Sequence, residues 1–143
     1  MPKKINLPVL IVIALLILIQ FIPYGRQHNN PAVVQEPRWD SPQTRRFAQR
    51  ECFDCHSNET TWPWYSSIAP ISWLVQSNVE EGRLWLNFSE YGQMQVEASD
   101  IIEVVQAEVM PPGEYLILHP TANLSAGEQE AFLVGLQATF SGK

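Results

Sequence analysis

Two cysteines and a histidine form the most specific chemical pattern in this chain. Cys52 and Cys55 are its only cysteines, two residues separate them, and His56 follows directly. The pattern C-x-x-C-H is typical of the attachment of a c-type haem. Two thiols at this spacing can add across the haem vinyl groups, and the histidine can bind the iron. We therefore predict one covalent haem c, held by Cys52 and Cys55, with His56 as the proximal ligand.

Other uses of the two cysteines predict different surroundings. A thioredoxin-like dithiol site requires a βαβ context, which the sequence does not indicate. Structural zinc usually has four protein ligands, and the remaining histidines, His28 and His119, are distant and badly spaced. A simple disulfide would leave His56 without a role.

A second iron ligand is expected on the opposite face of the haem. Met110 is the favoured candidate, because the two prolines that follow it stiffen a non-helical loop and can hold a thioether still. His119, between Leu118 and Pro120, is the alternative distal ligand; otherwise it would bond a propionate or the backbone. Met94 is a weaker candidate.

An aromatic segment follows the cysteine motif. Trp62, Trp64 and Tyr65 are expected either to pack on the porphyrin, with an indole N–H or a phenol bonded to a propionate, or to fill the core.

Helical periodicity and capping residues predict four helices after residue 40, at about residues 42–52 or 42–55, 72–86, 95–109 and 125–140. Ser41 before Pro42 is a helix start, and Ser125 with Glu128 forms a capping box. Gly82 inside the second helix would allow a neighbour to approach closely. Glu51 and Asp54 are expected to be solvated. No segment alternates as a strand does, so the fold class is all-α.

The N-terminal stretch is long and apolar. Residues 5–22 approach the ~20 residues that cross a bilayer, and Lys3 and Lys4 precede them. We expect residues 1–24 to be an uncleaved transmembrane helix with its N-terminus in the cytoplasm; a cleaved signal peptide is the alternative, although no good cleavage site follows. Residues 25–39 are predicted to be a linker in which His28 is solvated, and residues 40–143 the haem domain.

The charge of the chain limits its partners. The net charge is −6, so binding to nucleic acid is not expected. An acidic domain should dock on a basic patch of its partner.

Several segments in combination carry a family resemblance: residues 52–60, Trp62-Pro63-Trp64-Tyr65, Met110-Pro111-Pro112 with Tyr115, and Leu118-His119-Pro120 with Ala122 and Leu124-Ser125. In these the chain resembles the bacterial haem-binding domain family over about residues 40–140, and more widely class I cytochrome c. The resemblance implies a small cytochrome c-like domain with one haem. Unlike many class I proteins, the chain lacks basic residues that would ring the haem edge.

The resulting functional expectation is a membrane-tethered monohaem c-type cytochrome. It would transfer single electrons on the periplasmic side of a bacterial cytoplasmic membrane and would not be an enzyme. Its redox partners would be a membrane quinol oxidase or dehydrogenase, or other cytochromes. The alternative is a haem sensor or small peroxidase with an open or labile distal site.

Overall fold

A computed structural model describes residues 6–141, and these residues are helical apart from loops and one isolated β-bridge between Gln35 and Glu90. The prediction of an all-α fold is therefore confirmed. In chain order the α-helices are α1 (Leu7–Leu18), α2 (Pro42–Glu51), α3 (Phe53–His56), α4 (Ile71–Trp85), α5 (Ala98–Gln106), α6 (Gly113–Leu118) and α7 (Ala126–Phe140). Four short 3₁₀ helices lie at Ile19–Phe21, Trp64–Ser67, Tyr91–Gln93 and Pro120–Ala122.

The chain divides into two compact units, of which the first comprises residues 1–29 and 62–78. Gln20 holds its parts together, because its amide donates to the carbonyl of Ala69 (2.8 Å) and accepts from the N–H of Ala69 (3.1 Å). Gly25 has a φ of +81°, and its backbone lies so close to Ser72 that a side chain would not fit. His28 is not the solvated linker residue that the sequence predicts. Its Nε2 lies 3.0 Å from the carbonyl oxygen of Ser66.

The N-terminal helix is shorter than predicted. Helix α1 has 12 residues, all of them exposed. Among residues 6–141, the structure contains no helix with the length and apolarity needed to cross a membrane. Lys3 and Lys4, which set the expected orientation, lie outside the described residues.

The second unit comprises residues 30–61 and 79–143 and contains the main core. Helices α2 and α5 both pack against α7. The core is rich in aromatic side chains; its buried members are Phe47, Ala48, Phe53, Phe88, Tyr91, Ile101, Val105, Leu124, Phe132, Leu136 and Phe140.

Local hydrogen bonds start α2 and α7 where the sequence predicts. The N–H of Thr44 donates to the Ser41 hydroxyl at 3.2 Å. At the start of α7, Ser125 and Glu128 form the expected capping box, with the Ser125 N–H 2.8 Å from a Glu128 carboxylate oxygen. These caps fix the two helices that cross in the core.

Helix α6 was not predicted. The run Met110-Pro111-Pro112-Gly113 indicates a helix stop, and six helical residues follow it. Pro112 precedes the first helical residue with φ −61° and ψ 144°, an extended conformation that introduces the next helix, whereas α5 has already ended at Gln106.

Helices α2 and α7 pack so closely that Gly135 has no room for a side chain. A Cβ at Gly135 would clash with the Thr44 side chain, whereas a Cβ at Gly127 would meet nothing within 4 Å. We expect Gly135→Ala to lower the free energy of unfolding by about 1–3 kcal/mol, because overpacking outweighs the better helix propensity of alanine. Gly127→Ala, the control, should leave it unchanged or slightly raised in urea denaturation.

Adding Thr44→Ala to Gly135→Ala should relieve the clash, so that the double variant loses less stability than the two single variants added together. Purely additive losses would contradict this account of the crossing.

Candidate functional site

The cysteine motif lies at the junction of two helices. Helix α2 ends at Glu51, and the N–H groups of Cys55 and His56 both donate to the carbonyl of Cys52, at 3.1 and 2.8 Å. One tight turn therefore carries both cysteines and the histidine. The expected helix is interrupted at Cys52, after which α3 contains the rest of the motif.

Both thiols are free of disulfides. Burial raises the pKa of the Cys52 thiol well above its ordinary value, and burial also raises the pKa of Cys55, to about 11. A dithiol redox site instead needs a thiolate near neutral pH. These surroundings therefore argue against the thioredoxin-like interpretation.

The imidazole of His56 is oriented by the backbone. Its Nδ1 lies 3.0 Å from the carbonyl oxygen of Leu86. Because a carbonyl can only accept, Nδ1 carries the proton and the lone pair is on Nε2. Burial lowers the pKa of His56, partly opposed by hydrogen bonds to the Leu86 and Gly82 backbone, so the ring is neutral at pH 7. A neutral imidazole with an available Nε2 is suited to binding a metal.

The orienting carbonyl belongs to Leu86, the residue that follows α4, and Gly82 lets the end of this helix come close. A Cβ at Gly82 would lie 2.5 Å from the carbonyl oxygen of Cys55, which confirms the close approach expected at this glycine. The next residue, Arg83, adds a hydrogen bond, in which its Nε donates to the carbonyl of Ser57 at 2.7 Å. The C-terminal half of α4 is thus held against the cysteine motif.

A cavity of about 250 Å³ opens beside the motif, and Cys52, His56 and Met110 all line it. Most of its other lining residues are apolar: Trp85, Leu86, Phe88, Val96, Ile101, Val104 and Val105. Asp100 is the one carboxylate among them. The donor set suits a haem, since an imidazole, a thioether and a thiol are gathered at apolar walls. Cys55 does not line this cavity.

Met110 reaches the cavity because α5 ends just before it. The N–H groups of Val109 and Met110 both return to the carbonyl of Val104, at 3.0 and 3.2 Å. This turn, with Pro111 and Pro112 behind it, directs the chain away from the helix axis.

The other candidate distal ligands have different surroundings. His119 is absent from the cavity lining; its Nδ1 lies 3.0 Å from the Tyr115 carbonyl, and its ring stacks on Tyr115 at 4.0 Å. The Tyr115 hydroxyl donates to Asp54 at 2.7 Å, which links α6 to the cysteine motif. Met94 accepts a hydrogen bond from the N–H of Asn87 at 2.9 Å.

The aromatic segment belongs to the first unit. Trp62 stacks on His28 with ring centroids 4.6 Å apart, and Trp64 packs edge-on against Tyr65 at 5.9 Å. Trp64 is 79% exposed. Packing of Trp62, Trp64 and Tyr65 on the porphyrin stays a prediction.

A larger cavity of about 650 Å³ lies on another side of Met110, which lines both. Glu51 also lines it and, contrary to expectation, is only 8% exposed. No described group hydrogen-bonds to its Oε2. Burial raises the pKa of this carboxyl to about 7, with Arg50 opposing and Glu128 reinforcing the shift.

The sequence did not predict the positions of Leu86 and Glu51 at the site, for different reasons. The Leu86 carbonyl is a backbone group, so no residue type indicates its role. Glu51 lies among charged residues at the end of an amphipathic helix, a pattern that normally indicates a solvated face.

The family model described as a haem-binding domain matches residues 14–138 of the chain. No match was found among curated proteins or among solved structures.

The burial of Glu51 predicts how stability varies with pH. In the unfolded chain its carboxyl ionises near 4.5 and in the folded chain near 7. Between these values the folded state binds more protons, so this group lowers stability as pH rises from 4.5 to 7. Glu51→Gln removes the ionisable carboxyl and with it this destabilising effect. We therefore expect the variant to be more stable than the natural chain between pH 5 and 7.5.

The measurement is urea denaturation at both pH values, with Glu130→Gln as the control because Glu130 lines the same cavity but is exposed. An equal effect of Glu51→Gln at pH 5 and 7.5 would contradict the assignment.

Proposed function

The chain belongs to the family of haem-binding domains, and on this premise we propose that it is a c-type cytochrome that carries single electrons on one covalent haem. One observation carries the proposal: Cys52, His56 and Met110 line the same largely apolar cavity. A thiol for attachment and two candidate iron ligands are thereby gathered at largely apolar walls.

Attachment would use Cys52 and Cys55. Both thiols are free, and the turn that contains them is closed by hydrogen bonds to the Cys52 carbonyl. The exposed side of the site, where Trp85 is 76% exposed, leaves room for a haem edge to reach the surface.

The proposed ligands are His56 on one face and Met110 on the other. Nδ1 of His56 is occupied by the Leu86 carbonyl, which leaves Nε2 for the iron. Met110 is preferred to His119 because it lines the cavity with His56, whereas the His119 ring stacks on Tyr115.

The haem, when bound, supplies a reversible one-electron couple at its iron. The residues of the chain would set its potential. The thioether of Met110 and the apolar walls favour the ferrous state, while the carboxylate of Asp100 favours the ferric state.

The same proposal includes a membrane tether and an acidic docking face. The exposed apolar side chains of α1 are suited to lipid, consistent with a haem domain held outside the cytoplasmic membrane. On α5, Asp100 and Glu103 are exposed beside the cavity wall. A basic patch on a membrane quinol oxidase or dehydrogenase, or on another cytochrome, would complement this face, and electron transfer should slow as salt rises.

The second cavity supports one alternative function. Because Met110 lines both cavities, its displacement would open the distal side of the haem to a small ligand. The chain would then be a haem sensor or a small peroxidase, and its ferrous form would bind CO readily.

Covalent attachment is tested on the full chain, produced together with a c-type cytochrome maturation system. Haem should remain on the denatured chain in a stained gel, because thioether bonds survive unfolding. Cys52→Ala and Cys55→Ala together should abolish the stain, while Ser57→Ala, beside the motif, should retain it. Haem lost from the natural chain on denaturation would contradict covalent attachment.

The distal ligand is tested by Met110→Ala with His119→Ala as the matched control. The natural holoprotein should be low-spin, show a methionine-to-ferric charge-transfer band and not bind CO. Met110→Ala should remove the band and lower the potential by at least ~60 mV, which corresponds to a tenfold loss of preference for ferrous iron.

His119→Ala should keep both the band and the potential. If His119→Ala instead removed the band and lowered the potential, His119 would be the distal ligand. A natural holoprotein that binds CO would favour the sensor or peroxidase.

A further inference from the structure

Glu51 occupies a position that the proposed haem attachment does not explain. It directly precedes Cys52, it is 8% exposed, and its Oε2 lacks a hydrogen-bond partner among the described residues. It lines the 650 Å³ cavity together with Met110. A buried carboxyl without a partner is costly to keep, so its place between an attachment residue and a candidate iron ligand requires a reason.

The charges around Glu51 do not neutralise it. Arg50, its neighbour, is held by Glu128 at 2.6 Å and by the carbonyl of Thr121 at 2.9 Å. Glu108 and Glu130, which are also acidic, line the same cavity, and among residues 6–141 no basic side chain lines it. The site therefore favours the protonated carboxyl until a positive charge appears nearby.

Oxidation of a haem adds one such positive charge. Burial keeps the local dielectric low, so an added charge acts strongly on a neighbouring carboxyl and favours its ionised form. The cavity is also walled by the exposed side chains of Glu130 and Gln137, which gives solvent protons access to Glu51.

We propose that Glu51 couples electron transfer to proton transfer, taking up one proton from solvent when the haem iron is reduced and releasing it when the iron is oxidised. The electron comes from the redox partner, and the charge of the site is the same before and after each complete step. This inference rests on the proposed cytochrome function. The pKa of Glu51, raised by burial to about 7, places the exchange at neutral pH.

The test is the reduction potential of the full-length holoprotein measured between pH 5 and 9. The potential of the natural chain should fall with rising pH around neutrality. The proton affinity of Glu51 should be at least threefold higher in the reduced state, which corresponds to a total change of about 30 mV. Glu51→Gln should lose this dependence, and Glu130→Gln, which removes an exposed charge from the same cavity wall, should keep it.

Glu51→Leu provides a second variant in case the amide perturbs the fold, and it should also give a potential independent of pH near neutrality. A reduced-minus-oxidised infrared spectrum adds a direct signature, a protonated-carboxyl band that both variants lose.

Other outcomes have distinct meanings. A natural holoprotein whose potential is flat across this range overturns the coupling and leaves the electron carrier intact. A dependence that persists in both Glu51 variants also overturns it and assigns the proton to another group, such as a haem propionate. A chain without covalent, redox-active haem overturns the proposed function and this inference together.

Discussion

The contact between His56 and the backbone of Leu86, the residue that follows α4, is the interaction on which the site depends. The Leu86 carbonyl fixes the proton on Nδ1, and this contact exists only because Gly82 lets α4 approach the carbonyl of Cys55. The role of Gly82 is thus steric and that of Leu86 electrostatic. Neither residue would contribute chemistry by itself, yet together they give the imidazole one orientation and one tautomer.

A second constraint is that one low-dielectric environment acts on groups of different charge. Burial lowers the pKa of His56 and so keeps a potential ligand neutral, while it raises the pKa of Cys55 and Glu51. The first effect favours a site ready for a metal, and the second keeps the Cys55 thiol protonated at neutral pH. The third leaves one carboxyl close to its ionisation point, where a small change of nearby charge alters its protonation.

The loop that contains Met110 is positioned from both ends. On one side, the turn to the Val104 carbonyl ends α5; on the other, the Tyr115 hydroxyl of α6 donates to Asp54 in the cysteine motif. The proposed distal ligand is therefore tied to the helix that carries the proposed proximal ligand. Asp54, which was predicted to be solvated, is instead half-buried and accepts this hydrogen bond.

Local patterns in the sequence determined the cysteine motif, the all-α class and the starts of α2 and α7, because capping bonds and helical periodicity involve residues within a turn or two of one another. They also identified Met110 and His119 as candidates and favoured Met110, because of the two prolines that follow it. Only the tertiary structure placed Met110 in the cavity of His56, buried Glu51 and brought the Leu86 carbonyl to the imidazole. These outcomes depend on how segments far apart in sequence pack, and burial and backbone contacts of that kind leave no mark on residue type or spacing.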